Sequence, residues 1–264
     1  MPTALVTGPN SGIGRATALE LARAGLHVVA AGRSSSRARP VIESITADGG
    51  SAEFLELDLS SFASIRSAAA RFTESGRRLD VLVNNAGIGV NRRGLTDDGF
   101  EVHFGINHLG HFLLTDRLRH SFGPGTRIVS VTSSVHFRAK GIDFDRVRKP
   151  SRLTGLAEYA VSKLANILFV EELARRRPEW NTYAVHPGLT RTPLIPWPIR
   201  ALMGKSLLTP QQGADTVVWC AVSDQVSGHS GLYYRRRSIA VPSDPARDAD
   251  LAGELWERST DWCG

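Results

Sequence analysis

The sequence predicts a single α/β domain, residues 1–264, in which a doubly wound parallel sheet of seven strands carries helices on both faces. Two observations lead there. Short β-rich runs alternate with longer segments of helical period, the rhythm of repeated βαβ units. The first run also ends in a glycine-rich turn that opens directly into the first helix.

In chain order, Ala4–Thr7 reads as a strand. Ile13–Ala24 reads as a helix, because Ile13, Ala16, Leu19 and Leu21 share its apolar face and Gly25 stops it. His27–Ala31 is the second strand, and Val41–Ala47 belongs to the second helix. Ala52–Leu57 is the third strand, followed by a helix over Phe62–Thr73. Val81–Asn84, Arg127–Thr132, Tyr183–His186 and Gly231–Tyr234 complete the seven strands. There are no repeats and no low-complexity linker. The stretch Pro193–Pro198 is irregular and apolar, and reads as a loop.

Composition narrows the class. Hydrophobic residues make up 42% and charged residues 22%, a globular balance that excludes a disordered, collagen-like or disulfide-scaffold chain. The net charge of +6 raises nucleic acid, an anionic membrane or a phosphorylated ligand as partners. Only four of the basic residues are lysines (Lys140, Lys149, Lys163 and Lys205), so the excess reads as a coding bias toward Arg and Ala in a GC-rich genome. No basic stripe interleaves with aromatics, so nucleic acid is not expected. No apolar run reaches the ~18–20 residues of a membrane span, and Met1-Pro2-Thr3 leads straight into a strand instead of a signal segment. With only Cys220 and Cys263 and no disulfide framework, a cytoplasmic protein is expected.

The first strand runs into Thr7-Gly8-Pro9-Asn10-Ser11-Gly12-Ile13-Gly14. Gly8 suits a tight turn with positive φ, Gly12 admits close approach of a pyrophosphate, and Gly14 lets helix pack on strand. The helix N-terminus offers free N–H groups and a positive dipole end. Gly8, Asn10, Ser11, Gly12, Ile13 and Gly14 are therefore the candidate phosphate-binding residues of a Rossmann-type dinucleotide site. The second strand ends in Ala30-Ala31-Gly32-Arg33-Ser34, with no carboxylate for a ribose 2′-hydroxyl. A guanidinium fork suits a 2′-phosphate. The expected cofactor is NADP(H), with Arg33 as selector and Ser34 or Arg37 as helpers; the competing reading of Arg33 is a solvated loop cation.

Further along stand Asn84-Asn85-Ala86-Gly87 after the fourth strand and Tyr159-Ala-Val-Ser-Lys163 opening a helix. With the glycine turn, and in this order over essentially the whole chain, they resemble the short-chain dehydrogenase/reductase family. Asn107-His-Leu-Gly-His-Phe-Leu-Leu-Thr115, Ser162-Lys-Leu-Ala-Asn-Ile-Leu-Phe169 and Leu255-Trp256-Glu-Arg-Ser259 look like its branch of retinol dehydrogenases and WW-domain oxidoreductases. Bacterial oxidoreductases resemble this branch without acting on retinoids, so the retinoid itself does not carry over.

Tyr159 and Lys163 lie at i and i+4, so one helix face presents both to a common point. A free Tyr is a poor base at neutral pH, and a nearby ammonium favours its phenolate. Tyr159 is then the group that exchanges a proton with a substrate oxygen. The resemblance adds Ser133 as the catalytic serine at the end of strand five, with Ser134 the alternative. It also adds Asn107, whose implied role is to hold a water that links Lys163 to solvent, and a Lys163 contact to the nicotinamide ribose. It implies Asp58 and Leu59 beside the adenine, and Asn85, Ala86 and Gly87 along the ribose. Pro187, Gly188, Leu189 and Thr192 form a loop that fixes the carboxamide. No metal is expected, although His103, His108 and His111 share a helix.

Two segments depart from the family. Between Ser133 and Tyr159 lie 25 residues, longer than the family's usual gap. The insert at about 139–156 reads as a solvated flap by the site, or as a holder of an anionic substrate tail or partner. At about 189–209, Leu194, Ile195, Trp197, Ile199, Leu202 and Met203 read as an apolar lid over a bulky, mainly apolar substrate, or as packing against the protein or a second subunit. Arg175–Arg177 and Arg235–Arg237 read as solvated charge, and Trp219 as core. The leading function is NADP(H)-dependent hydride transfer between nicotinamide and a carbonyl or alcohol carbon, with a small-molecule substrate. A non-catalytic NADP(H)-binding redox sensor is the alternative, and a lyase-like or epimerising enzyme a third. Family members commonly form dimers or tetramers through helices like the one bearing Tyr159, so the resemblance implies a homo-oligomer, dimer or tetramer.

Overall fold

A computed structural model of the chain describes residues 1–151, 153–191, 204 and 207–264. Strand β1 (Thr3–Thr7) is buried along its whole length. Successive side chains of a strand point to opposite faces, and here each face has its own core: Leu5 enters one, Ala4 and Val6 the other. The same division recurs in β2 (His27–Gly32), β4 (Leu79–Asn84), β5 (Phe122–Val131) and β6 (Asn181–His186). Val29, Leu82, Ile128 and Ala184 lie on the first side, and Val28, Val81, Val129 and Val185 on the second. Two-sided burial requires layers above and below, and fits the near-continuous apolar runs of parallel strands.

With β3 (Ala52–Glu56) and β7 (Leu232–Arg235), the seven expected strands are all present and parallel, in the order β3-β2-β1-β4-β5-β6-β7. The winding reverses between β1 and β4, which opens a crevice at their carboxyl ends. Helices α1 (Gly12–Arg23) and α2 (Ser35–Ala47) cover one face. On the other lie α3 (Phe62–Glu74), the short α4 (Val102–Phe104), a π turn (Gly105–Leu109), α5 (Gly110–Leu118) and α6 (Leu156–Arg176). Helix α7 (Pro210–Val222) joins α1 on the first face, opened by a capping box between Thr209 and Gln212.

The sheet also has an eighth strand, β8 (Ser238–Ile239), antiparallel to β7. The connecting residues Arg236 and Arg237 take φ of 53° and 55°. A two-residue hairpin turn needs positive φ at both positions and is normally marked by Asn-Gly, so the arginines hid it. Arg237 is exposed at the strand end, as expected, and also forks onto Asp215 of α7, while its backbone N–H bonds the Thr216 hydroxyl. Strand β5 starts at Phe122, ahead of the expected Arg127, because Phe122 pairs with Leu79 across a register shift. Trp219 is half-buried, against Tyr234.

The described residues of the insert are packed down on the domain, while Lys140, Asp143, Asp145, Arg148 and Lys149 stay exposed. Val147 and Ala139 are buried, and the Val147 carbonyl accepts the Glu101 N–H at 2.7 Å. The Arg148 guanidinium stacks 3.8 Å over the Phe100 ring. Arg152 lies outside the described residues.

The last helix, α8 (Ala249–Cys263), lies across α6. Trp256 stacks on Phe169 and meets Phe112 edge-on. The Ser259 hydroxyl meets Nε2 of His108, and Arg176 reaches Glu257. Arg175 and Arg176 stay exposed at the helix end, as expected, and both also grip the buried Glu172. One face of α6 is thus covered by α8. Leu255 is 1% exposed in this seam. Leu255→Ala is expected to destabilise the protein by about 2–5 kcal/mol in urea unfolding; a loss within ~0.5 kcal/mol would show the seam to be marginal.

Candidate active site

A cleft of about 480 Å³ runs along the carboxyl ends of β1, β2, β4, β5 and β6. Its walls include Gly8, Asn10, Ser11, Gly12, Ile13, Gly14, Arg33, Ser34, Asp58, Leu59, Asn85, Ala86, Gly87, Ser133, Tyr159, Lys163, Pro187, Gly188 and Leu189. Sequence reasoning missed the segment Ile88–Val90, Arg92, Ile106 and His186, which also line it. Loop residues carry no local signal, whereas His186 is the strand-end residue before Pro187-Gly188. Thr192 and the proposed lid residues Leu194, Ile195, Trp197, Ile199, Leu202 and Met203 lie outside the described residues.

The glycine turn is built as its residues require. Gly8 and Gly12 take φ of 66° and 55°. A Cβ on Gly14 would stand 2.2 Å from the Gly8 carbonyl oxygen and 2.4 Å from Asn85 Nδ2, so only glycine fits there. Ser11 caps α1 without a side-chain bond, and the first turn has no acidic residue. Its N–H groups are left to face an anion, the donor set a pyrophosphate takes.

One hydroxyl holds this turn to β4. Thr7 Oγ1 accepts the N–H groups of Asn85 and Ala86 at 3.0 and 2.9 Å, and Asn85 Nδ2 donates to the Thr7 carbonyl at 2.8 Å. The Asn85 carboxamide therefore braces the turn, and only its backbone stretch flanks the crevice. His111 completes the brace. Its Nδ1 donates to the Asn107 carbonyl, so its Nε2 accepts from Thr7 Oγ1 at 2.9 Å. Burial pushes His111 down to about 4 and His108 to about 3. The helix histidines face separate partners (Glu101 for His103, Ser259 for His108, Thr7 for His111).

Two other candidates are partly engaged. Ser34 caps α2, accepting the Arg37 N–H at 3.4 Å. Asp58 Oδ1 accepts from Ser60 N–H and hydroxyl at 2.9 and 2.7 Å, shaping its own turn. Arg33 and Arg37 are exposed on the cleft wall.

At the other end, Tyr159 and Lys163 project from the first turns of α6 beside Ser133. Ser133 lines the cleft beside Tyr159, close enough for its hydroxyl to act on the phenol. Ser134 is exposed outside the cleft lining and donates its N–H to Nδ1 of His186 at 3.3 Å, so Ser133 is the serine placed beside Tyr159. Lys163 Nζ donates to the Val131 carbonyl at 3.0 Å and lies 5.7 Å from the Tyr159 ring centroid. Burial raises the Tyr159 phenol above its ordinary value, with the nearby Ser133 hydroxyl pulling it down. The lowering expected from the Lys163 ammonium does not appear, and desolvation sets the direction. Burial also lowers Lys163, to about 8. Asn107 sits behind the cleft in the π turn. Its Oδ1 accepts the Ile88 N–H at 2.9 Å and its Nδ2 donates to Ser162 Oγ at 3.0 Å. Gly87 runs between them: a Cβ there would lie 3.0 Å from Asn107 Oδ1 and 3.7 Å from Lys163 Nζ.

A phosphate-cradling turn facing a phenol, an ammonium and a hydroxyl defines a dinucleotide-dependent oxidoreductase class of site. The family model for short chain dehydrogenases matches residues 2–196, and the chain belongs to that family, in the branch resembling retinol dehydrogenases. Mouse polyprenol dehydrogenase is 40% identical over 275 residues, covering 96% of this chain and 81% of that protein. Human retinol dehydrogenase 11 is 39% identical over 272 residues, covering 98% and 85%. A Burkholderia cenocepacia short chain dehydrogenase solved with NADP superposes with a TM-score of 0.73 at 28% identity, covering 94% of this chain and 98% of that one.

Burial that lowers Lys163 also sets a pH dependence. Between about 8 and 10.5 the unfolded chain holds a proton that the folded chain has released, so this group's contribution to stability rises with pH across that window. Lys163→Met is expected to be more stable than the parent near pH 7, by on the order of 2 kcal/mol, with the gap closing toward pH 10. Urea unfolding at both pH values checks it, and an advantage that grows with pH would refute it.

Proposed function

We propose that the protein is an NADP(H)-dependent oxidoreductase that moves a hydride to or from a carbonyl or alcohol carbon of a bulky, mainly apolar substrate. The convergence of Ser133, Tyr159 and Lys163 on one end of the cleft carries this reading. The turn Gly8–Gly14 would hold the pyrophosphate, Arg33 and Arg37 the 2′-phosphate, and Asn85–Gly87 with Lys163 the nicotinamide ribose. When bound, the nicotinamide supplies or takes up the hydride.

The chain's own residues do the rest. Ser133 would hold the substrate oxygen and polarise it. Tyr159 would pass a proton between its Oη and that oxygen. Its raised proton affinity keeps the phenol protonated near neutrality, ready to donate as an alkoxide develops. Lys163, close to neutral pH in its own titration, would return charge beside the phenol as the proton leaves. Asn107 braces this group through Ser162, whose hydroxyl donates to the Tyr159 carbonyl at 2.8 Å, and would take part in the proton path to solvent. Ile88, Val90, Ile106 and Leu189 give the substrate side its apolar character, in keeping with relatives named for retinol and polyprenol.

Consumption of reduced nicotinamide in the presence of aldehydes and ketones of rising apolar size tests the reading. Rates on the larger apolar members should exceed those on small polar ones; a reversed order would remove the apolar assignment. Tyr159→Phe should lower turnover by about 10²–10⁴-fold while NADPH still binds. Arg33→Ala should cut the preference for NADPH over NADH by about tenfold or more. Equal binding of both by the parent protein would overturn the role of Arg33.

A further inference from the structure

Glu101 and His103 form a buried pair that the proton transfer does not use. Their side chains are 1% and 0% exposed, and His103 Nδ1 lies 2.7 Å from Glu101 Oε1. The other ring nitrogen, Nε2, lies 3.0 Å from the Gly89 carbonyl oxygen. Glu101 Oε2 accepts the backbone N–H groups of His103 and Phe104 at 2.9 and 3.0 Å. Donors thus surround the carboxylate, and each ring nitrogen of His103 meets an acceptor. An imidazole satisfies two acceptors only when both nitrogens carry protons.

The ring touches the site on two sides. Gly89 lies in the segment that lines the cleft. The ring stands edge-on to Tyr159, with centroids 6.2 Å apart. At Gly155, where α6 begins with φ of 71°, a Cβ would fall 2.5 Å from His103 Cε1. Around this ring the loop after β4 and the insert are bonded together. The Asn91 N–H donates to the Thr154 carbonyl at 2.6 Å, and Ser151 Oγ to the Arg92 carbonyl at 3.1 Å.

We propose that His103, held as an imidazolium by Glu101, is a positioning residue that locks the Gly89 loop against Ser151, Thr154 and Gly155 of the insert as one wall beside Tyr159. The inference rests on the proposed function only in assigning that wall to the substrate; the lock belongs to the fold. Without the second proton, the Nε2 lone pair would oppose the Gly89 oxygen, and the loop would lose its anchor.

Nitrogen-15 NMR of the whole protein at neutral pH tests the charge state directly, with His103→Leu assigning the signals. Both ring nitrogens should carry protons; a bare nitrogen at either position overturns the proposal. Hydrogen exchange tests the lock. In His103→Leu, amides of residues 88–93 should exchange about tenfold faster or more, while those of β1 and β2 keep their protection. Unchanged exchange in the loop overturns the proposal. His103→Gln, which keeps a donor for Gly89, should recover most of the protection. If His103→Leu fails to fold, Glu101→Gln serves in its place and should both abolish the doubly protonated signature and loosen the same amides. With decanal as probe, the loosened variant should raise KM more than it lowers kcat and leave NADPH affinity within about twofold. If decanal and every other carbonyl tried go unreduced by the parent protein, the proposed function fails, while the NMR and exchange results still decide the lock.

Discussion

The Thr7 hydroxyl joins the two halves of the sheet at the point where its winding reverses. It accepts two backbone N–H groups from the end of β4 and gives its own proton to His111. The Asn85 N–H also reaches the Val83 carbonyl at 3.0 Å, whereas the Ala86 N–H depends on the hydroxyl, and losing it as acceptor would cost up to about 1–3 kcal/mol. The glycine turn, the Asn85–Gly87 strand end and the π turn bearing Asn107 are therefore parts of one braced unit. The missing Cβ of Gly14 belongs to the same constraint, since the Asn85 carboxamide and the Gly8 carbonyl fill the space a side chain would need.

The sequence was most legible where chemistry is local. A glycine turn between a strand and a helix, and a Tyr and Lys one helical turn apart, are set by spacing alone, and the structure brings both to one cleft. Arg33 was legible because β2 pairs with β1 in register, which fixes where its end must fall. What escaped depends on partners distant in sequence. Arg236 and Arg237 make a hairpin turn that their side chains do not advertise. Ser34 and Asp58 spend part of their bonding capacity on a helix cap and a local turn. The charge of the insert was legible, whereas its packing was not, because Phe100 and Glu101, which hold Arg148 and Val147, lie 48 and 46 residues away from them in sequence.

Burial moves the two titrating groups of the site in opposite directions, and both shifts favour the neutral form. The phenol resists losing its proton, and the ammonium gives one up at about 8. Near neutral pH the lysine is therefore the group whose charge a change in what fills the cleft alters most readily. His103 and Glu101 stand apart from this poise: each is matched by a full set of bonding partners, and they serve as fixed scaffolding.

The seam between α6 and α8 also joins distant stretches of sequence into one unit. The face of α6 opposite the Tyr159 chemistry is closed by residues 249–263, which supply Trp256 to Phe169 and Phe112 and Ser259 to His108. Without that helix, the three lose this cover and an apolar groove opens along α6. Fraying of α8 would therefore unseat the helix that carries the reactive groups, so a local loss at one end of the fold would be felt as a loss of order in the cleft.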